Sequence, residues 1–511
     1  MTRAAGASAL ARSRAYGPRL ANLAALASGS LLACAFAPLG WWPLAVVCPA
    51  VLMALWQGTT PRAAAQLGFW FSAGTFGAGT YWLYTSIHTF GEAPIWIAFA
   101  LMIALVAIMG AYQALLGWCV ARWLPKQGAL RYLVGIPAAW LLVEWWRGWF
   151  LTGFAWLSLG YSQTDTWLAG FAPVAGVYGI SALLLVNAGA VMTLVRGGRG
   201  ARIASIVILV VPWLIGFGLG RVEWTHASGH PVGVAVIQGA IPQDQKWLDA
   251  NRDTTLRLYR DLTARALGTP LIVWPESAPP DLANNLSDYL GAEFSMTQAK
   301  GSALVLGIVR SEDSGDGARY FNSVLALGDK DLLWYNKSHL VPFAEFFPVP
   351  DFVRSWLRLR NLPYEDFTRG APVQPPLPAA GLKLAVTICY EDAYGSSQLP
   401  VLRQADALVN VTNDAWFGDS TARHQHFQIA RMRAMEAQRY LVRAANDGIS
   451  GVIGPHGEVV ARAPEFTPYV LRSAITARSG LPPYAHVGNW PVILLALAGV
   501  AAAVLRQRAK T

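Results

Sequence analysis

Apolar residues follow two regimes along this chain. Over the first 220 positions and the last two dozen they form long runs broken only by short polar loops, and between these regions they sit in short segments. Eight apolar stretches, at 19–37, 41–56, 65–86, 93–120, 131–148, 168–195, 203–220 and 488–505, approach the length needed to cross roughly 30 Å of hydrocarbon. The pattern therefore predicts eight membrane helices, the second of them short. Glycine and alanine at 72–79 suit close helix contacts inside a bilayer. The central block instead carries β-branched runs at 232–237, 271–274, 303–309, 322–327, 332–335, 383–388, 407–411, 441–444, 451–453 and 470–474. Helical patterns fall at 248–266, 282–300, 397–403 and 423–438. Strands this uniformly apolar are covered on both faces, which predicts a layered α/β domain. The expected division is a membrane part at 1–220, a water-soluble domain at 221–487, and a last span with its tail at 488–511.

Charge sharpens this division. The 511 residues are 54% hydrophobic and only 14% charged, against about 25% charged in an ordinary soluble protein. Of 30 acidic residues, 27 lie between Arg221 and Gly488, together with 25 of the 40 basic ones. The basic balance thus belongs to the membrane part and lends no support to nucleic-acid binding. Arg3, Arg12, Arg14, Arg19, Arg62, Arg122, Lys126, Arg131, Arg196, Arg199, Arg202, Arg506, Arg508 and Lys510 all fall at alternate loops, hence on one side. The positive-inside rule makes that side the cytoplasm and sends the central block outward, to the periplasm of a Gram-negative cell. The first apolar stretch reads as a retained anchor. Glu144 and Arg147 lie one helical turn apart, which suggests an ion pair near the interface or a contact to a lipid headgroup.

Of the four cysteines, Cys389 alone lies outside the predicted spans, at the end of the run Lys383-Leu-Ala-Val-Thr-Ile-Cys389. Two further strand ends carry ionisable residues. Pro275 halts a strand and puts Glu276 just past its C-terminal edge, where α/β folds gather reactive groups. Lys337 and Glu345 share an otherwise apolar loop, and Glu391 follows Cys389 by two residues. A thiol, an ammonium and carboxylates at strand ends make a nucleophilic set. The carboxylate would take the thiol proton, while the lysine would lower the thiol pKa and stabilise an oxyanion. Taken singly each has a bland reading: a core cysteine, a turn glutamate, a surface lysine. His424, His426 and Asp414 do not have the spacing of a metal site, and the histidines read as surface or packing residues. No phosphate-binding glycine motif occurs, so no nucleotide cofactor is expected.

With these motifs set out, the central block resembles the nitrilase superfamily. The resemblance rests on Trp274-Pro-Glu276-Ser, Asn336-Lys337-Ser-His-Leu-Val-Pro-Phe and Ile388-Cys389-Tyr390-Glu391. It implies an αββα sandwich and a Glu276–Lys337–Cys389 triad, with no metal and no cofactor. Including the membrane part, the chain resembles the bacterial apolipoprotein N-acyltransferase family. Gln238-Gly-Ala-Ile-Pro-Gln, Pro342-Phe-Ala-Glu345-Phe and Asn413-Asp-Ala-Trp416-Phe-Gly belong to that likeness. It implies a multi-pass inner-membrane enzyme, a monomer with both termini cytoplasmic. Such an enzyme moves an acyl chain from a phospholipid, typically phosphatidylethanolamine, through a cysteine thioester to the α-amine of a diacylglyceryl-modified apolipoprotein. Glu345 and Glu391 would support the site and Tyr390 would flank the nucleophile. Trp247 would lie on an arm near substrate, with Asn413 and Trp416 about the pocket. The apolar run from Leu340 and the segment 352–362 would cover the site or dip into the interface. A tethered amidase that uses water as acceptor would need the same triad.

Overall fold

The computed structural model describes residues 17–314, 317–327, 332–346 and 366–509, so the segment 352–362 lies outside the described residues, as do Arg3, Arg12, Arg14 and Lys510. The chain divides into two compact units. One comprises Met1–Phe171, Ala175–Arg221 and Asn489–Thr511, the other Ala172–Val174 and Val222–Gly488.

The first unit is helical. Among the described residues, four helices are long and apolar enough to cross a membrane: Ile95–Trp123, Trp167–Arg196, Arg199–Leu219 and Trp490–Arg508. That is fewer than the eight apolar stretches of the sequence, for local reasons. Pro18–Ala33 has 16 helical residues and Leu44–Leu55 has 12, short of the roughly 20 that a span needs. Pro61–Gly79 has 19, diluted by glycine and polar side chains. The fifth stretch is divided between a π-helical turn at Leu130–Gly135 and the 12-residue helix Ile136–Arg147. Helix contacts inside the unit include polar ones, such as Ser72 Oγ donating to the Met109 carbonyl at 2.9 Å. Glu144 and Arg147 are both buried, and their bonds go to the following loop instead of to each other. Arg147 donates to the carbonyls of Phe154 and Trp156 and to Ser158 Oγ, while Glu144 accepts from the Leu159 N–H.

The second unit holds two six-stranded mixed sheets. Strands β1 (Val232–Gln238), β2 (Leu271–Val273) and β3 (Ala303–Asp313) run parallel. Antiparallel β4 (Ala318–Leu327) and β5 (Leu333–Asn336) extend one edge. In the other sheet, β6 (Leu377–Ala379) pairs antiparallel with β7 (Leu382–Ile388), which runs parallel to β8 (Ala407–Thr412) and, through it, β9 (Leu441–Ala445). Antiparallel β10 (Gly451–Ile453) and β11 (Val459–Arg462) complete it. Strand β12 (Tyr469–Ile475) returns to pair antiparallel with β1.

Alternation along each strand sorts its side chains between two cores. Val234, Val236, Val273 and Val305 of the first sheet share one hydrophobic cluster with Val386, Ile388, Val409 and Val442 of the second. The intervening Ala235, Ile237, Ile272 and Leu304 pack instead with Leu256 and Leu262 of helix α1 (Asp249–Ala266) and Leu290 of helix α2 (Ser287–Gln298). On the second sheet, Ala385 and Leu408 pack with Leu402 of helix α3 (Gly395–Leu402) and with Phe427, Ala430 and Ala434 of helix α4 (Thr421–Ala437). Both faces of the central strands are therefore buried, which is why their sequences read as nearly unbroken apolar runs.

Candidate active site

Three strand ends deliver the candidate residues. Strand β2 stops at Val273; Trp274 N–H still donates to the Val305 carbonyl at 2.8 Å, then Pro275 ends the ladder and Glu276 follows. Gly307 on β3 lies behind it. A Cβ built there would sit 2.6 Å from the Glu276 Cα and 2.5 Å from the Pro275 carbonyl oxygen, so only glycine lets the strand and the glutamate approach this closely. Lys337 follows β5, its N–H donating to the Asn322 carbonyl at 2.8 Å. Gly370 backs that turn, with its N–H on the Lys337 carbonyl and no room for a side chain against Asn336. Cys389 follows β7 at φ +51°, a left-handed conformation uncommon for a residue with a side chain, and opens a short 3-10 turn.

The structure brings Glu276, Lys337 and Glu345 into direct contact. Lys337 Nζ lies 2.8 Å from Glu345 Oε1 and 3.3 Å from Glu276 Oε1. Asn322 Nδ2 donates to the same two oxygens, at 2.9 and 2.7 Å. Asn322 was not among the sequence candidates: it sits inside a strand whose apolar surroundings hide its role. Glu345 is fixed further by the Val341 N–H at 2.8 Å. Burial opposes the charge on Lys337, but Glu345, Glu276 and the Cys389 sulfur favour it and carry its pKa above the ordinary lysine range. The ammonium is thus held charged with only 1% of its side chain exposed.

Glu391 joins the lysine loop to the cysteine turn. Its Oε1 accepts from the Ser338 N–H, Ser338 Oγ and the His339 N–H, and its Oε2 from Tyr335 OH and the Ile388 N–H, all at 2.6–3.0 Å. Burial nevertheless holds its carboxyl above the usual range. Tyr390 lies beside Cys389, its ring edge-on to Tyr394 with 5.2 Å between centroids and 6.0 Å from His339.

Cys389 is half-buried. The sequence suggested that Lys337 would lower its pKa. Lys337 does pull in that direction, but burial, reinforced by Glu276 and Asp414, wins and pushes the thiol well up.

The remaining candidates stand apart from this constellation. Asn413 is buried and ties two loops, donating to Gln243 Oε1 at 2.7 Å and accepting from Asn446 Nδ2 at 3.1 Å. Trp247 and Trp416 stand at the surface, 49% and 38% exposed. Beside Trp247, Lys246 is completely buried and donates to the Glu276 carbonyl at 3.2 Å. Burial, opposed by Glu276, lowers it to about 8. His426, read from the sequence as a surface or packing residue, is buried between two carboxylates. Among the described residues no group of histidine, cysteine and acidic side chains is arranged to hold a metal ion, and all four cysteines are unbridged.

Comparison with known proteins meets this geometry from outside. Residues 28–190 match the apolipoprotein N-acyltransferase N-terminal domain, and residues 233–480 match the carbon-nitrogen hydrolase family. An apolipoprotein N-acyltransferase of Methylococcus capsulatus is 40% identical over 96% of this chain and 96% of its own. One from Pseudomonas aeruginosa is 40% identical over 94% of each, and one from Azotobacter vinelandii 38% over 96% of each. Two domains matched in order and end-to-end likeness at this level lead to one assignment: the chain belongs to the apolipoprotein N-acyltransferase family.

Proposed function

We propose that the protein takes an acyl chain from a phospholipid such as phosphatidylethanolamine onto Cys389 as a thioester. It then passes the chain to the α-amine of a diacylglyceryl-modified apolipoprotein. The observation that carries this reading is the charged Lys337 held between Glu276 and Glu345, with its charge felt by a protonated thiol at a strained strand end.

Glu276 accepts the Cys389 proton as the sulfur attacks the ester carbonyl. The tetrahedral oxyanion is met by Lys337 and by a backbone N–H beside the cysteine. Collapse breaks the ester C–O bond, Glu276 returns the proton to the departing oxygen, and a lysophospholipid leaves. In the second half the lipoprotein amine attacks the thioester, Glu276 takes an amine proton, and the C–S bond breaks. That proton then restores the thiol. Glu345 and Asn322 keep Lys337 and Glu276 in register, while Glu391 locks the lysine loop against the cysteine turn. Two substrates sharing one nucleophile make the kinetics ping-pong.

The surrounding reading is an αββα sandwich at 221–487 on an eight-span membrane part at 1–220 and 488–511, in the inner membrane. Both termini are cytoplasmic and the catalytic domain is periplasmic. Alternate basic loops and the shared core of the two sheets support it. One chain holds every group the scheme needs, so a monomer suffices. The test incubates purified protein with a phospholipid labelled in its acyl chain. Hydroxylamine-sensitive label on Cys389, discharged to the amine of a diacylglyceryl peptide, is expected. Label released only as free fatty acid would instead make the protein a hydrolase.

A further inference from the structure

Four ionisable groups that the acyl-transfer scheme leaves unused gather against the backbone of Cys389. His426, from α4, is 1% exposed. Its Nδ1 lies 2.8 Å from Asp414 Oδ1, and its Nε2 lies 2.9 Å from Asp392 Oδ1 and 3.2 Å from the Cys389 carbonyl oxygen. Each of these neighbours is an acceptor, so both ring nitrogens must carry protons and the ring is an imidazolium. Arg443, from β9, donates to Asp392 Oδ2 at 3.2 Å, Asp414 Oδ2 at 2.9 Å and Asn410 Oδ1 at 2.6 Å. Two carboxylates thus face two cations, all with side chains at most 1% exposed.

This cluster reaches the reaction through one peptide. The Cys389 carbonyl accepts from His426 Nε2 and, at 3.4 Å, from Asn410 Nδ2, which is itself held by Thr387 Oγ1 at 3.0 Å. A peptide unit is planar, so fixing its carbonyl oxygen also fixes the N–H on its far side. That N–H belongs to Tyr390. An oxyanion donor works only when it is aimed before charge develops, and the left-handed backbone at Cys389 needs outside contacts to stay in place. We propose that His426, as an imidazolium, is a positioning residue that holds the Cys389 carbonyl and thereby aims the Tyr390 N–H at the tetrahedral oxyanion. The role rests on the thioester reading of Cys389.

The groups facing His426 come from three elements: Asp392 after β7, Asp414 after β8 and Arg443 on β9. Burial and Arg443 disfavour its proton, but the two aspartates prevail and raise it to about 9. Thioester formation should therefore fall as pH rises through that value. Ionisation of the thiol would act in the opposite sense. Lys246 titrates nearby, but it touches Glu276 and not Asp414, so removal of Asp414 leaves its contribution in place.

The experiment follows label transfer from phospholipid to Cys389 in the full-length protein. His426→Gln should slow thioester formation on the order of 100-fold with the donor KM within about twofold. Asp414→Asn should move the alkaline fall to lower pH by about one unit, because one of the two carboxylates holding the imidazolium proton is gone. A native rate in His426→Gln, or an alkaline fall that stays put in Asp414→Asn, overturns the proposal. Ring 15N resonances of His426 in the native protein give an answer independent of variant folding. Two protonated nitrogens at pH 8 support the role, and a neutral ring overturns it. If no donor labels the native protein, the thioester reading fails, and the resonances still decide the state of His426.

Discussion

Two buried charge clusters flank Cys389, and they are built on opposite terms. On the Lys337 side, Glu276 and Glu345 share one ammonium and one amide, and Lys246 approaches only a backbone carbonyl. On the His426 side, every carboxylate oxygen of Asp392 and Asp414 has a cationic neighbour. Under the proposed reaction, the first cluster takes up the thiol proton and returns it. The second has its charges closed and serves as a fixed support. Low-dielectric surroundings strengthen both sets of interactions; what separates them is whether any capacity is left over for a reacting group.

The largest effect expected from this contrast follows removal of the Cys389 thiol. Cys389→Ala should give no hydroxylamine-sensitive acyl adduct at all, read as retained label on gels. Lys337→Met takes the cation from the working cluster and should slow thioester formation on the order of 10²- to 10³-fold; a rate within threefold of native would remove oxyanion stabilisation from its role. Arg443→Met strikes the closed cluster. It leaves two buried aspartates with one cation and should cost about 3–5 kcal/mol of unfolding free energy, measured by thermal and denaturant unfolding in detergent. A loss confined to activity would mean that this cluster, too, is a working one.

The smallest and sharpest test uses pH, because one cation on each side has opposite linkage. His426 is raised from 6.5 to about 9, so its contribution to stability is complete below about 6.5 and is lost as pH climbs through 9. Lys246 is lowered from 10.5 to about 8. Between those values the unfolded chain binds more protons than the folded one, and stability rises with pH. Lys246→Met should therefore stabilise the protein near neutrality by roughly 2 kcal/mol, after allowing for its lost hydrogen bond, and should abolish the rise above pH 8. Unfolding curves collected at pH 7, 8.5 and 10 would show it.

How far the sequence could be read differs between the same two clusters. Glu276, Lys337 and Cys389 are legible because each follows a strand in a short unusual context, and Pro275 marks one stop outright. Asn322 and Arg443 are not, since each lies within a strand and only three-dimensional pairing reveals its partners. Arg443 did carry a signal: a charge within a wholly apolar run is retained only if it is matched. His426 is legible only in outline: two histidines two apart near a helix start read as surface or packing residues, and nothing in their spacing names Asp392 and Asp414 as partners. Most strands of the soluble block are foreshadowed by β-branched runs, whereas β6 and β11 are not: β6 spans three residues around Pro378, and β11 is a largely exposed edge. In the membrane part, hydropathy finds the apolar stretches but overestimates several helices, because Gly, Pro and a π turn shorten or divide them.

Gly307 has a bearing on how this enzyme can vary over time. The location of Glu276 depends there on a missing side chain: β3 and the segment that follows β2 come together through the space a methyl group would fill. The one bond that marks the approach is a backbone one, the Ala278 N–H donating to the Gly307 carbonyl at 2.9 Å, and no side-chain chemistry at position 307 would suggest it. A mutation as mild as Gly307→Ala would force Glu276 or the strand behind it to shift by a few tenths of an ångström or more, a scale at which reaction rates are sensitive. The tolerance of the proposed site to sequence drift is therefore set partly by a residue outside the proposed triad, and a lineage that filled this gap would have to rebuild the approach of Glu276.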